Sequence, residues 1–408
     1  MDAIASLRRT LEKRRPQMIE MQRDLTAVPA LGPENGGSGE WDKAQVLVEW
    51  LRRVGLGPCE SHPAPDPRVP KGERPNIIVT LPGGGARGVF WIMSHLDIVP
   101  PGDPALWESD PYTMSVKGDA LIGRGVEDNQ QGLVASVFAA ACVRDLALKP
   151  ARTTRLLFVS DEETGSQHGV GYLVDNTSLF GADDRALVPD SGSVDGSEVE
   201  IAEKSILWLR FATHGKQCHA SVPQKGLNAF EAASHLVVRL GGLSGVFGER
   251  DALFDPSGST FSPTKKDANV PNINTIPGED AFHLDCRILP QVDLETVLKE
   301  VRGIANGIER DFGVTVDIRT IQRASSPPTP ADAPIVSQLA RALKAVYAVE
   351  ARSVGIGGGT VGAFLRNKGM QTVVWSRIEE TAHMPNERCL VANMMGDALV
   401  MALMMREQ

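Results

Sequence analysis

Glu162 and Glu163 stand side by side behind Asp161, directly after the apolar run Leu156-Leu157-Phe158-Val159. Four apolar residues in a row read as a buried strand, and strands of α/β proteins deliver their loops to one edge of a sheet. Adjacent carboxylates at such an edge repel each other unless a cation sits between them or one holds a proton. A bound metal would use both, one acid ligating and the other handling protons.

Four more segments carry similar chemistry at or just after apolar runs. Val89–Met93 leads into Ser94-His95-Leu96-Asp97, where an extended His-x-Asp puts both side chains on one face, so that Asp97 can steer the His95 imidazole. Asp128 ends Gly123-Arg124-Gly125-Val126-Glu127 and opens a helix. Asp190 follows Ala186-Leu187-Val188-Pro189. His383 lies in Glu379-Glu380-Thr381-Ala382-His383-Met384-Pro385. Taken singly, the glutamate pair would pass for a solvated surface, Asp128 for a helix N-cap and His383 for a loop histidine. Their joint occurrence after strands carries the weight. Ligands of open α/β sheets gather beyond the carboxyl ends of the strands, so these segments can converge. Two histidines and three carboxylates suit paired Zn²⁺, with Co²⁺ or Mn²⁺ as substitutes. Two such ions about 3.5–4 Å apart can activate a water and polarise an amide carbonyl.

Alternating elements must position these residues. Strands are expected at 76–81, 88–93, 153–159 and 185–188, with a helix at 131–148. That alternation predicts an α/β domain with a largely parallel or mixed sheet flanked by helices. The pattern then becomes strand 205–213, helix 229–240, strands 272–276 and 281–288, helix 294–312 and strand 314–321. The order β-α-β-β-α-β predicts an inserted ferredoxin-like α+β domain. The expected division is a discontinuous catalytic domain, 1–197 and 323–408, interrupted by 198–322. A helix at 335–349, a strand at 372–376 and a C-terminal helix from about 388 complete the outer domain.

The 408 residues are 42% apolar, enough for two cores, and the net charge of −9 argues against nucleic acid or an anionic membrane as partner. The five scattered cysteines form neither a CxxC motif nor a disulfide framework. The N-terminal stretch lacks a signal-peptide core, and the longest apolar-leaning run, Leu133–Val143, is too short to span a bilayer. A soluble cytoplasmic protein is expected.

Over nearly its whole length the chain resembles the dinuclear zinc amidohydrolases and metallopeptidases that include acetylornithine deacetylase, succinyl-diaminopimelate desuccinylase, aminoacylase and glutamate carboxypeptidase. The motifs that carry the resemblance are Ser94–Asp97, Gly123–Asp128, Asp161-Glu162-Glu163-Thr164-Gly165, the His383 segment, Gly215–Pro223 and Asn274-Thr275-Ile276-Pro277-Gly278. By position, the resemblance implies that Asp128 bridges two zinc ions, with His95 and Asp190 completing one site and Glu163 and His383 the other. It implies that Glu162 is the general base and Asp97 the partner of His95. His219, on the inserted lid or dimerisation domain, would serve a partner subunit's active site as oxyanion donor, which implies a homodimer. Read without the resemblance, His219 is a histidine in a polar loop.

The resemblance also implies that Arg287 and Asn274 bind a substrate carboxylate. Gly357-Gly358-Gly359-Thr360, ahead of an apparent helix at 361–366, offers backbone N–H groups to an anion, and the resemblance assigns that role to carboxylates. No lysine of the phosphate-loop type follows it. One departure stands out: Asn129-Gln130-Gln131-Gly132 replaces the Lys-Gly-Gly often found after the bridging aspartate. The expected activity is metal-dependent hydrolysis of the amide of an N-acyl amino acid bearing a free carboxylate. The alternatives are a di- or tripeptidase or carboxypeptidase on the same scaffold, and more remotely a non-catalytic binding protein.

Overall fold

A computed structural model describes residues 3–407. The chain divides into two compact units, Met1–Ile201 with Thr329–Ser353 and Thr360–Gln408, and Ala202–Pro328 with Val354–Gly359.

The first unit is built on a mixed sheet with helices on both faces. Its middle strands run in the order Ile77–Leu81, Thr153–Val159, Val89–His95, Arg185–Ser193 and Gln371–Arg377. Val89–His95 is parallel to both its neighbours, and His95 is level with Val159. Gln371–Arg377 is likewise parallel to Arg185–Ser193. These shared directions bring His95, the Asp161–Glu163 turn, Asp190 and the segment leading to His383 to one sheet edge.

Apolar residues fill both faces, as parallel strands require. On one, Trp91, Met93, Leu157, Val159, Ala186, Val188 and Val374 pack with Val170, Leu173, Val361 and Leu365. On the other, the helix Gln130–Asp145 is buried from Gln130 to Val143 and packs against the helices Ala3–Thr26 and Val391–Arg406. Within a helix that buried, hydrophobic residues recur all round rather than on one stripe. None of the described helices is long and apolar enough to cross a membrane.

Three local expectations change in this unit. Asp190 lies inside a strand that continues to Ser193, where the register with Gln371–Arg377 shifts between Val374 and Ser376. The helix after Asp128 starts at Gln130, so the Asp128 carboxylate is released from capping. A short strand, Arg388–Leu390, pairs with Ala120–Ile122 before the last helix begins at Val391.

The second unit holds an antiparallel sheet ordered Thr260–Lys266, Glu279–Ile288, Ser205–His214 and Thr315–Ala324, with the helices Ala229–Leu240 and Leu294–Phe312. In chain order this is β-α-β-β-α-β. The second strand, however, is Thr260–Lys266 and not Asn272–Ile276, of which only Thr275 and Ile276 pair, with His219 and Cys218. The reason is positional. An edge strand needs only one bonded side and tolerates Pro263, so its polar sequence carries little strand signal. Ile273, which supplied the apolar pattern further on, is fully exposed.

Candidate metal centre

The five expected ligand segments meet in the first unit. His95 ends its strand almost fully buried, and its Nδ1 donates to the Asp97 carbonyl at 3.0 Å. That bond leaves Nε2 facing Asp128 Oδ1 at 2.9 Å and Asp190 Oδ1 at 3.3 Å. His383 Nε2 lies 3.0 Å from Asp128 Oδ2 and 3.2 Å from Glu163 Oε2. The two oxygens of Asp128 are thus divided between the two histidines. Ligating atoms of His95, Glu162 and Asp190 lie within 4.8 Å of one another, as do those of His95, Asp128 and Glu163.

Asp97 acts differently from the simplest reading of His-x-Asp. Its carboxylate is 3.5 Å from His95 Nδ1, while the backbone carbonyl makes the shorter contact. The carboxylate instead accepts the N–H groups of Glu162 at 3.1 Å and Glu163 at 3.0 Å. One residue therefore orients the imidazole through its carbonyl and pins the glutamate turn through its side chain.

Asp161 supports the same turn in a left-handed conformation, φ 65°. Its carboxylate accepts from the His168 N–H at 2.9 Å and pairs with the His168 ring at 3.1 Å. The wholly buried Arg74 and Glu40 form an ion pair beside it, and Glu40 also accepts from the Asp161 N–H at 3.3 Å.

The cluster is short of positive charge. Burial, reinforced by the charge of Asp190, pushes the Glu162 carboxyl well above its ordinary range. Burial and Asp128 lift Glu163 to about 7. Hydrogen bonds to Asp128 and Glu163 lift His383 to about 10. Burial opposes a charged His95, yet Asp190 and Asp128 outweigh it and hold the imidazole well above its usual value. Burial also opposes charge on Asp128, and the bonds from His383 and His95 overcome it and hold the carboxyl low. Glu163 Oε1 is buried with no hydrogen-bond partner, the state of a donor atom aimed at an ion. This set of imidazole and carboxylate donors fits divalent metal.

Some positioning groups escaped the sequence patterns. Asn129 Nδ2 donates to Asp190 Oδ1 at 2.6 Å and to the Pro189 carbonyl at 2.7 Å, while its Oδ1 accepts from His95 N at 3.3 Å. It sits beside Asp128 in the very segment that departs from Lys-Gly-Gly, and that departure was the available signal. Glu127 and Glu387, both buried, bond the backbone around Asp128 and His383. Their partners lie about 260 residues away in the chain, beyond the reach of any local pattern.

Other expected residues belong to the second unit. His219 is exposed, and its Nδ1 accepts the Ser221 backbone N–H at 3.1 Å. Asn274 is exposed, with its carbonyl accepting from Ala220 N at 2.9 Å. The Arg287 guanidinium has partners already: Asp285 at 2.9 Å and the Gly357 carbonyl at 2.8 Å. Gly358 and Gly359, expected with the outer domain, fall in the second unit, whereas Thr360 falls in the first. Thr360 Oγ1 accepts from Gly362 N at 3.0 Å, at the start of the short helix Gly362–Asn367.

Fold and donor set together define a metallohydrolase. The chain belongs to peptidase family M20/M25/M40, whose model matches residues 91–407. A metallohydrolase of Methanococcus maripaludis is 38% identical, over 94% of this chain and 97% of that protein. A succinyl-diaminopimelate desuccinylase of Dinoroseobacter shibae is 27% identical, over 92% of this chain and 94% of that one. Among solved structures, the aminopeptidase PepT of Bacillus cereus shares the fold with a TM-score of 0.77 at 18% identity, covering 96% of this chain and 98% of its own. The protein is therefore a metal-dependent hydrolase.

Proposed function

We propose that the protein hydrolyses the amide bond of N-acyl amino acids, in the manner of a deacetylase or desuccinylase, with two Zn²⁺ per subunit that Co²⁺ or Mn²⁺ can replace. The division of the Asp128 oxygens between His95 and His383 carries the two-ion part of this reading, and the likeness to a succinyl-diaminopimelate desuccinylase supports its N-acyl substrate. Asp128 would bridge the ions, His95 and Asp190 holding one and Glu163 and His383 the other. Bound there, the ions supply Lewis acidity toward the amide carbonyl and a lowered pKa for water.

Glu162 takes the proton of the attacking water as the new C–O bond forms. It returns that proton to the amine nitrogen as the C–N bond breaks. A carboxyl lifted above its ordinary range by burial is suited to both transfers. Its neighbour stays free for ligation because Asp97 fixes the backbone of both glutamates.

His219 donates to the oxyanion. The Ser221 N–H occupies Nδ1, so a neutral ring carries its proton on Nε2 and presents a donor there. In this reading a second subunit delivers His219, and the protein is a homodimer through the second unit. Phe230 and Val238, 45% and 76% exposed on the helix Ala229–Leu240, supply apolar surface for such an interface. Arg287 and Asn274 contact the substrate carboxylate, for which Asp285 is the competitor at the guanidinium. The backbone of Gly358 and Gly359, with Thr360, offers further donors.

Peptide cleavage is the second reading, favoured by fold likeness to an aminopeptidase and, at TM-score 0.72 and 14% identity over 99% of this chain and 98% of that one, to a dipeptidase of Saccharomyces cerevisiae. A panel of N-acetyl and N-succinyl amino acids, dipeptides and tripeptides, assayed with added Zn²⁺, Co²⁺ or Mn²⁺, separates the two. Preference for the acylated amino acids is the expected result. Turnover confined to peptides with a free α-amine would overturn it.

A further inference from the structure

We propose that Glu127 and Glu387 form a reciprocal clamp that sets the position of His383 against Asp128, and thereby the affinity of the second cation site. The inference rests on the two-ion reading above.

Each acid belongs to one ligand loop and bonds the backbone of the other. Glu127, next to Asp128, accepts N–H groups from Glu379 (2.6 Å), Thr381 (2.6 Å) and Ala382 (3.0 Å), and the Thr381 hydroxyl at 3.1 Å. Glu387, four residues after His383, accepts from Gly125 (3.0 Å), Glu127 (2.9 Å) and Asp128 (3.0 Å). Arg124 closes the ring: it pairs with Glu387 at 2.6 Å and donates to the His383 carbonyl at 3.3 Å. Both carboxylates are at most 5% exposed. Buried carboxylates with full sets of donors are strong, directional anchors.

The clamp matters most for His383. Its side chain is 56% exposed, so packing does little to hold the ring. Its φ of 65° lies in the left-handed region, a conformation a non-glycine residue keeps only when its surroundings impose it. The N–H groups of Thr381 and Ala382, the two residues before it, are the ones Glu127 grips. His95, by contrast, is held by its strand and by Asp97. Loosening Glu127 therefore releases the second site and spares the first, whereas loosening Glu387 disturbs Asp128, which both sites share.

Glu127→Gln and Glu387→Gln test this, because each keeps the volume and turns one oxygen into an NH₂ group that faces existing donors. Full-length protein is stripped with a chelator and titrated calorimetrically with Zn²⁺. Wild type is expected to take two ions. Glu127→Gln should weaken the second by about 10–100-fold, as loss of a ligand's supporting bonds does, with the first unchanged. Glu387→Gln should weaken both. Equal weakening of both ions by Glu127→Gln, or none, would overturn the proposal. Should Glu127→Gln fail to fold, Glu127→Asp, which keeps the charge and draws the carboxylate back from the N–H groups of Glu379, Thr381 and Ala382, decides: a weaker second ion alone supports the clamp, and any other outcome overturns it. Wild type that fails to take two ions would instead sink the two-ion reading itself.

Discussion

The two histidines of the centre are held in opposite ways. His95 ends a central parallel strand, its side chain 2% exposed, with Asp97 two residues on setting its tautomer. His383 stands on a loop, over half exposed, in a left-handed backbone conformation. Strand register and core packing place the first proposed ligand, while hydrogen bonds to loop backbone place the second. One half of the site is thus a product of the fold, and the other a product of a few buried polar contacts. Damage to the two halves should have unequal consequences.

The largest effect is expected from His95→Ala, which removes a ligand of the first site and also the buried imidazole that holds the shared Asp128 at 2.9 Å. Elemental analysis should find neither ion retained, and turnover should fall to background. His383→Ala should lose one ion and keep the other, so stoichiometry drops from two to one. Equal losses in the two variants would break the contrast. Next comes Asn129→Ala, which removes the donor to Asp190 and the acceptor for His95 N–H. It acts on the buried half, so cation affinity at the first site should fall about 10–100-fold, and calorimetric titration would show it.

A last contrast is with pH. In the cation-free protein Glu163 is lifted from 4.5 to about 7, and His383 from 6.5 to about 10. Both shifts mean that the folded state binds more protons than the unfolded chain inside those windows. Stability of the cation-free protein must therefore fall as pH rises through them. For His383 the contribution is complete below 6.5 and lost on passing about 10. For Glu163 the cost of ionisation appears between 4.5 and about 7. A cation displaces these protons, so its affinity should increase with pH and its uptake at pH 7 should release protons. Titrations in buffers of different ionisation enthalpy measure that release.

The same division governs what could be read from the chain. His95, Glu163 and Asp190 could be picked out as candidates because each sits at or near the end of an apolar run, and apolar runs report strands, whereas Asp128, in a turn, gives no such signal. The mixed sheet and the β-α-β-β-α-β order followed from the same periodicity. The edge strand Thr260–Lys266 was hidden by its polar sequence and its proline. The His-x-Asp spacing predicts the Asp97 carboxylate on the His95 face, where it lies 3.5 Å from Nδ1, but a period of two does not predict its shorter bonds to the backbone of the glutamate turn. Glu127, Glu387 and Arg74 stayed invisible because their partners are distant loop backbone and buried charges, which leave no spacing along the chain. A buried acid next to a ligand reads like any other glutamate until the donors around it are known.

Glu162, placed beside His95 and Asp190 and held by Asp97, is the residue proposed to move the protons. The deciding measurement is Glu162→Gln, assayed together for bound metal and for turnover of the preferred N-acyl amino acid. The prediction is full occupancy by two ions with kcat reduced about 10²–10⁴-fold, the usual contribution of a positioned acid–base. A variant that keeps both ions and near-normal turnover would contradict the assignment of the proton transfers to Glu162.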